Sequence, residues 1–96
     1  MIKQEILIKL ANNEELTQEE IEFLVMRCLE VDGKLIDVGH WVTTISVILE
    51  VDEDLYYEVI IYEPNNAGDT KYQQPRRFKR TLKTAELIEV FEPYDD

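Results

Sequence analysis

WVTTISVILEVDEDLYYEVIIYE, residues 41–63, sets two runs of β-favouring residues on either side of an acidic triplet, Asp52-Glu53-Asp54. Successive side chains of a strand point to opposite faces. Trp41, Thr43, Ile45, Val47, Leu49 and Val51 therefore share one face, and Val42, Thr44, Ser46, Ile48 and Glu50 share the other. After the triplet, Leu55, Tyr57, Val59 and Ile61 face one way while Tyr56, Glu58, Ile60 and Tyr62 face the other. Two such runs joined by a short polar turn predict an antiparallel hairpin. Apolar side chains on both faces predict a central sheet covered in part on both sides.

Toward the N-terminus the period changes from two to between three and four. Thr17 and Glu20 form a T-x-x-E capping box, and Leu16 and Ile21 stand where a hydrophobic staple belongs. Ile21, Leu24, Val25 and Cys28 follow at i, i+3, i+4 and i+7, so a helix is predicted from Gln18 to about Leu29. Ile2, Ile6, Leu7 and Leu10 give residues 1–11 a shorter helix, ended by Asn12-Asn13 because asparagine tolerates left-handed backbone. Asp32-Gly33 and Gly39 are turn signals. They predict a short strand, with a hairpin in it, over Glu30–Val38, and make His40 a turn residue.

Toward the C-terminus, residues 64–69 (PNNAGD) are a loop by composition. Pro75 cannot donate to a ladder and fits a strand start or edge. Arg76–Lys83 alternates, with Phe78, Arg80 and Leu82 opposite Arg77, Lys79 and Thr81. Residues 85–91 are a last strand, with a short helix as the competing reading. The expectation is an α+β protein, two N-terminal helices followed by an antiparallel sheet of about four strands. It forms a single domain over residues 1–96: a helical segment 1–29, a sheet 30–92 and a frayed acidic tail 93–96.

The formal net charge is −11 for 96 residues, and it is segregated. Residues 1–70 carry −12, residues 71–83 carry +6 and residues 84–96 carry −5. Lys71, Arg76, Arg77, Lys79, Arg80 and Lys83 form the basic ribbon. The plain expectation for it is an edge strand that pairs with acidic neighbours and deters edge-to-edge association; the alternative is a phosphate-contacting patch. The acidic majority concentrates at Glu14, Glu15, Glu19, Glu20 and Glu22 and at Asp52, Glu53 and Asp54. Carboxylates along helices and turns can imitate the charge spacing of duplex DNA, about 1.7 Å of axis per charge, and so fill a basic groove on another protein.

Catalytic and cofactor chemistry has little to draw on. There is one cysteine, Cys28, and one histidine, His40, a poor start for a zinc site. No phosphate-cradling glycine motif occurs, and the EF-hand-like start at Asp52 and Asp54 has Tyr57 where the loop needs glycine. No enzyme activity and no cofactor are expected. No run reaches the roughly 18 apolar residues of a membrane span, so a cytoplasmic location is expected. Tyr56, Tyr62 and Tyr72, together beside arginines, would make a protein-binding hot spot.

The Thr-capped helix, the W-x-T-T strand (Trp41, Thr43, Thr44), the double tyrosine (Tyr56, Tyr57) and the Q-P step (Gln74, Pro75) resemble a loose group of small proteins carried by phages and mobile elements of Gram-positive bacteria. The resemblance covers residues 17–92. It implies an accessory protein that inhibits a host defence nuclease, as anti-CRISPR proteins do. The function expected is binding to, and modulation of, a host protein with a basic surface, such as a nuclease or its nucleic-acid complex. The alternatives are direct nucleic-acid binding through residues 71–83 and a homo-oligomeric scaffold.

Overall fold

The computed structural model describes residues 2–66, 68–83 and 88–94. Helices α1 (Lys3–Ala11) and α2 (Gln18–Arg27) precede strands β1 (Leu29–Val38), β2 (Val42–Asp52), β3 (Leu55–Pro64), β4 (Lys71–Tyr72), β5 (Arg76–Lys83) and β6 (Ile88–Pro93). All six strands form one antiparallel sheet in the order β1-β2-β3-β5-β6, with β4 also on β3. The α+β architecture expected from the sequence is present; the sheet has six strands rather than about four.

Helix α1 ends in a Schellman arrangement. Asn13 takes a left-handed φ of 58°, its N–H donates to Leu10 O at 3.1 Å, and Glu14 N–H donates to Lys9 O at 2.8 Å. Helix α2 starts with the complete capping box: Glu20 N–H donates to Thr17 Oγ1 at 3.1 Å and Thr17 N–H donates to Glu20 Oε1 at 2.9 Å. Leu16 and Ile21, the staple pair, are both buried.

Ile6, Leu10, Leu16, Ile21 and Leu24 from the helical layer meet Val47, Leu49 and Val51 of β2 and Tyr57, Val59 and Ile61 of β3. This is the alternation read from residues 41–63, with the predicted apolar set facing the helices. Two glutamines lock the layers together. Gln18 Nε2 donates to Tyr72 O while Tyr72 N–H donates to Gln18 Oε1, both at 2.8 Å. Gln74 Nε2 donates to Leu16 O while Leu16 N–H donates to Gln74 Oε1, both at 2.9 Å. Each amide thus satisfies a donor and an acceptor that no strand or helix would pair.

The opposite face is covered by the sheet itself, curled into a half-barrel. Ser46, Ile48 and Tyr56 are buried although no helix lies over them. Phe78 and Phe91 close over this part, Phe91 meeting Tyr56 edge-on at 5.1 Å between ring centres. Ser46 Oγ donates to Glu58 Oε2 at 2.7 Å inside the curl.

Three local expectations change. Asp32-Gly33 is not a turn: it lies inside the ten-residue β1, next to a bulge at Val31, and Asp32 Oδ1 accepts the Gly33 N–H at 2.8 Å. The basic ribbon is not one edge strand. Lys71 lies in β4 and pairs with Tyr62, whereas Arg76–Lys83 forms β5 between β3 and β6. β4 and β5 follow one another along the same side of β3, broken at Gln73-Gln74-Pro75, where proline cannot donate. The expected frayed tail is ordered into β6 through Pro93, and Tyr94 N–H donates to Arg77 O at 2.9 Å. Residues 85–87, for which strand and helix competed, and the last two residues of the tail lie outside the described residues.

Candidate functional site

Of the acidic cluster expected to meet a partner, Glu14, Glu15, Glu19 and Glu22 are exposed. Glu14 and Glu15 follow the Schellman turn and line an open cleft of about 480 Å³ together with Gln74, Pro75 and Arg77. Glu19 and Glu22 are one helical turn apart on α2 and therefore project from the same side. Glu20 is different. It is 9% exposed, completes the capping box and accepts from Lys9 Nζ at 2.7 Å. The Lys9 ammonium, helped by the Thr17 backbone N–H, holds its carboxyl below the ordinary range, and Glu20 in turn raises Lys9. Glu20 therefore ties α1 to α2 and has little carboxylate left to offer a partner.

Asp52, Glu53 and Asp54 form the exposed tip of the β2–β3 hairpin. Asp54 takes the left-handed φ of 54° that the tight turn requires, and Asp52 Oδ1 accepts the Glu53 N–H at 2.8 Å. The two acidic clusters thus sit on different layers, one on the helical layer and one at the sheet's turn.

The arginines of β5 lie over aromatic rings. Arg77 sits 3.8 Å above Tyr94, Arg76 is 5.9 Å from Phe78, and Arg80 is 5.9 Å from Tyr56 and 3.6 Å from Asp54. Lys79 pairs across the strands with Glu92. Lys83 is the last residue of β5. These contacts spend part of each guanidinium on the protein itself.

The expected tyrosine cluster does not form. Tyr56 is buried in the curl, and Tyr72 pairs with Ile61 and packs on the helical side, so only Tyr62 stays on the open inner face. Burial raises the Tyr72 hydroxyl pKa, with the Glu22 carboxylate adding to it. Burial likewise raises Tyr57 and Cys28.

Sequence reasoning missed the most exposed large aromatic. Trp41, placed by alternation on the face of Ile45, Val47 and Leu49, is 68% exposed in the turn between β1 and β2. His40 packs edge-on against it at 4.5 Å. The turn is braced by Asn65, whose Nδ2 donates to Gly39 O at 2.8 Å and to His40 O at 3.2 Å. Asn65 Oδ1 accepts from Thr43 Oγ1 at 2.6 Å, and its backbone N–H donates to Trp41 O at 2.8 Å. The only available signal was the position of Trp41, two residues after Gly39. Asp37, Trp41, Val42, Thr44, Tyr62 and Lys71 line an open basin of about 560 Å³.

Among the described residues no three His, Cys, Asp or Glu side chains gather as a metal site, and no helix is long and apolar enough to cross a membrane. The fold and these surfaces define a small α+β protein whose most prominent features are charged and aromatic faces. Comparison with protein-family models, with curated proteins and with solved structures finds no match to the chain.

Proposed function

We propose that this protein is a non-enzymatic cytoplasmic binding protein that modulates or inhibits a basic, nucleic-acid-binding host protein through its acidic surface. The observation that carries the reading is an asymmetry between the two signs of charge. Glu14, Glu15, Glu19 and Glu22, with Asp52 and Glu53, are exposed and outnumber the exposed cations Arg76, Arg77, Lys79 and Arg80 of β5, whose arginines also share their charge with neighbouring rings and, at Arg80, with Asp54. The charge available to an incoming molecule is therefore mostly negative. Such a field steers a positive partner inward and repels nucleic acid.

Capture from a bacterial lysate on immobilised protein, followed by competition with duplex DNA and RNA, tests the reading. The retained protein should be basic, should elute with salt and should be displaced by nucleic acid. A retained partner that keeps its own nucleic acid at full affinity would remove the mimicry mechanism. Retention of free nucleic acid by the protein in a low-salt gel shift would instead assign function to the basic residues Lys71 and Arg76–Lys83.

A further inference from the structure

We infer that the open end of the inner sheet face, built around Trp41 and Tyr62, is a self-association surface that takes a second copy of this chain. The inference is independent of the acidic-surface reading.

The curl of the sheet closes only half of the inner face. Toward the other end, beyond Ser46, the register places Asp37, Thr44, Tyr62 and Lys71 directly opposite one another on β1, β2, β3 and β4. They form one row across the sheet, about 14 Å long at the usual spacing between strands. Its ends carry opposite charges and its middle a hydroxyl and an aromatic ring. Val42 lies one position further along the same face, and Trp41 rises from the turn at its margin.

Such a row is self-complementary. A two-fold axis parallel to the strands, between Thr44 and Tyr62, lays a second copy face to face with the row reversed. Asp37 of each copy then meets Lys71 of the other, and Trp41 comes to the Tyr62 side of the opposite sheet. This is the reciprocity an isologous dimer requires. The row is neutral in sum, so the −11 charge of each copy is carried elsewhere, where salt screens its repulsion over roughly 8 Å.

Two further observations support a covered face. Trp41 and Val42 are exposed apolar side chains that line the basin beside Thr44 and Tyr62. Exposed apolar surface of this kind marks association sites in otherwise polar proteins. The Asn65 brace holds the Trp41 turn in one conformation before any contact is made. Little ordering is left for association to supply, and tryptophan is the residue most enriched at the centre of interfaces.

Light scattering coupled to size exclusion, run from about 10 µM to about 1 mM, tests the inference; the patch is small, so the dimer should half-dissociate in the tens to hundreds of micromolar. The mass should rise from 11.4 kDa toward twice that value. Trp41→Ala should abolish the rise while leaving the far-ultraviolet circular dichroism unchanged. Asp37→Lys and Lys71→Asp should each be monomeric alone, with two like charges on the row. Mixing the two variants, or combining both substitutions in one chain, should restore the dimer. A chain that stays monomeric at about 1 mM overturns the inference. So does a dimer indifferent to Trp41→Ala and to both charge reversals, because it would use another surface such as the outer edge of β1.

Discussion

Replacing Asn65 by alanine removes three side-chain hydrogen bonds at once and so tests whether the Trp41 turn is held or merely visited. The bonds lost are the 2.6 Å contact from Thr43 and the donations to Gly39 O and His40 O, while the backbone bond to Trp41 O survives. A net intramolecular hydrogen bond contributes about 0.5–1.5 kcal/mol. The site is exposed and water can take over each partner, so the lower part of that range applies. The sum is then about 1–2 kcal/mol, and for a domain of this size the melting temperature should fall on the order of 10 °C. Asn65→Asp should cost more, because it keeps the acceptor for Thr43 but turns a carboxylate toward two carbonyl oxygens. Trp41 is the only tryptophan, so its fluorescence anisotropy should drop in both variants, reporting the loosened turn directly. Asn66→Ala serves as the neighbouring control. If Asn65→Ala melts with the parent and leaves the anisotropy unchanged, the brace is not what positions Trp41.

Other outcomes follow from the core and the titrating groups. Leu24→Ala empties a fully buried position between the layers and should cost about 2–5 kcal/mol in chemical denaturation; Thr17→Ala should cost about 1 kcal/mol through the lost cap. The folded Glu20 carboxyl titrates below its unfolded value, so its contribution is present above the ordinary carboxylate pKa and is lost as pH falls through the lower folded value. Lys9 is raised, so its share persists until pH climbs above the ordinary lysine range. Melting curves of Glu20→Gln should therefore lose less stability than the parent on acidification, and an unchanged acid limb would contradict the Lys9–Glu20 link. Burial raises the Cys28 thiol, so its reaction with a disulfide reagent at pH 8 should be slower in the native protein than in denaturant.

Much of the local structure is written in short-range chemistry. The capping box, its staple and the Asn13 turn are decided by a few neighbouring residues, and each forms as those residues predict. The face assignment of β2 and β3 is equally legible, because a buried sheet leaves a period-two record. β1 leaves no such record: nearly all its residues are exposed, and two bulges, at Val31 and Ile36, break its register. An Asp-Gly pair inside it then looks like a turn. The curl of the sheet depends on Phe78 and Phe91 reaching Ile48 and Tyr56 across 22 residues or more of chain, a distance that alternation does not encode.

The candidate surfaces divide in the same way. Exposed acids such as Glu19 and Glu22 are legible from composition and helix phase, whereas Glu20 differs from them only through a lysine 11 residues earlier. The basic ribbon reads as one strand because the Gln73-Pro75 break is invisible to charge counting. Trp41 reads as a core-facing residue because its alternation continues that of β2, whereas it lies in the turn before β2 that Asn65 braces.

The account centres on the exposed carboxylates of the helical layer as the contact for a basic partner. Its most direct test is the affinity of the captured partner for the protein carrying Glu14→Gln, Glu15→Gln, Glu19→Gln and Glu22→Gln together, measured at low and at physiological salt. Binding should weaken about tenfold or more at low salt and lose most of its salt dependence. Undiminished affinity with an unchanged salt slope would contradict the account.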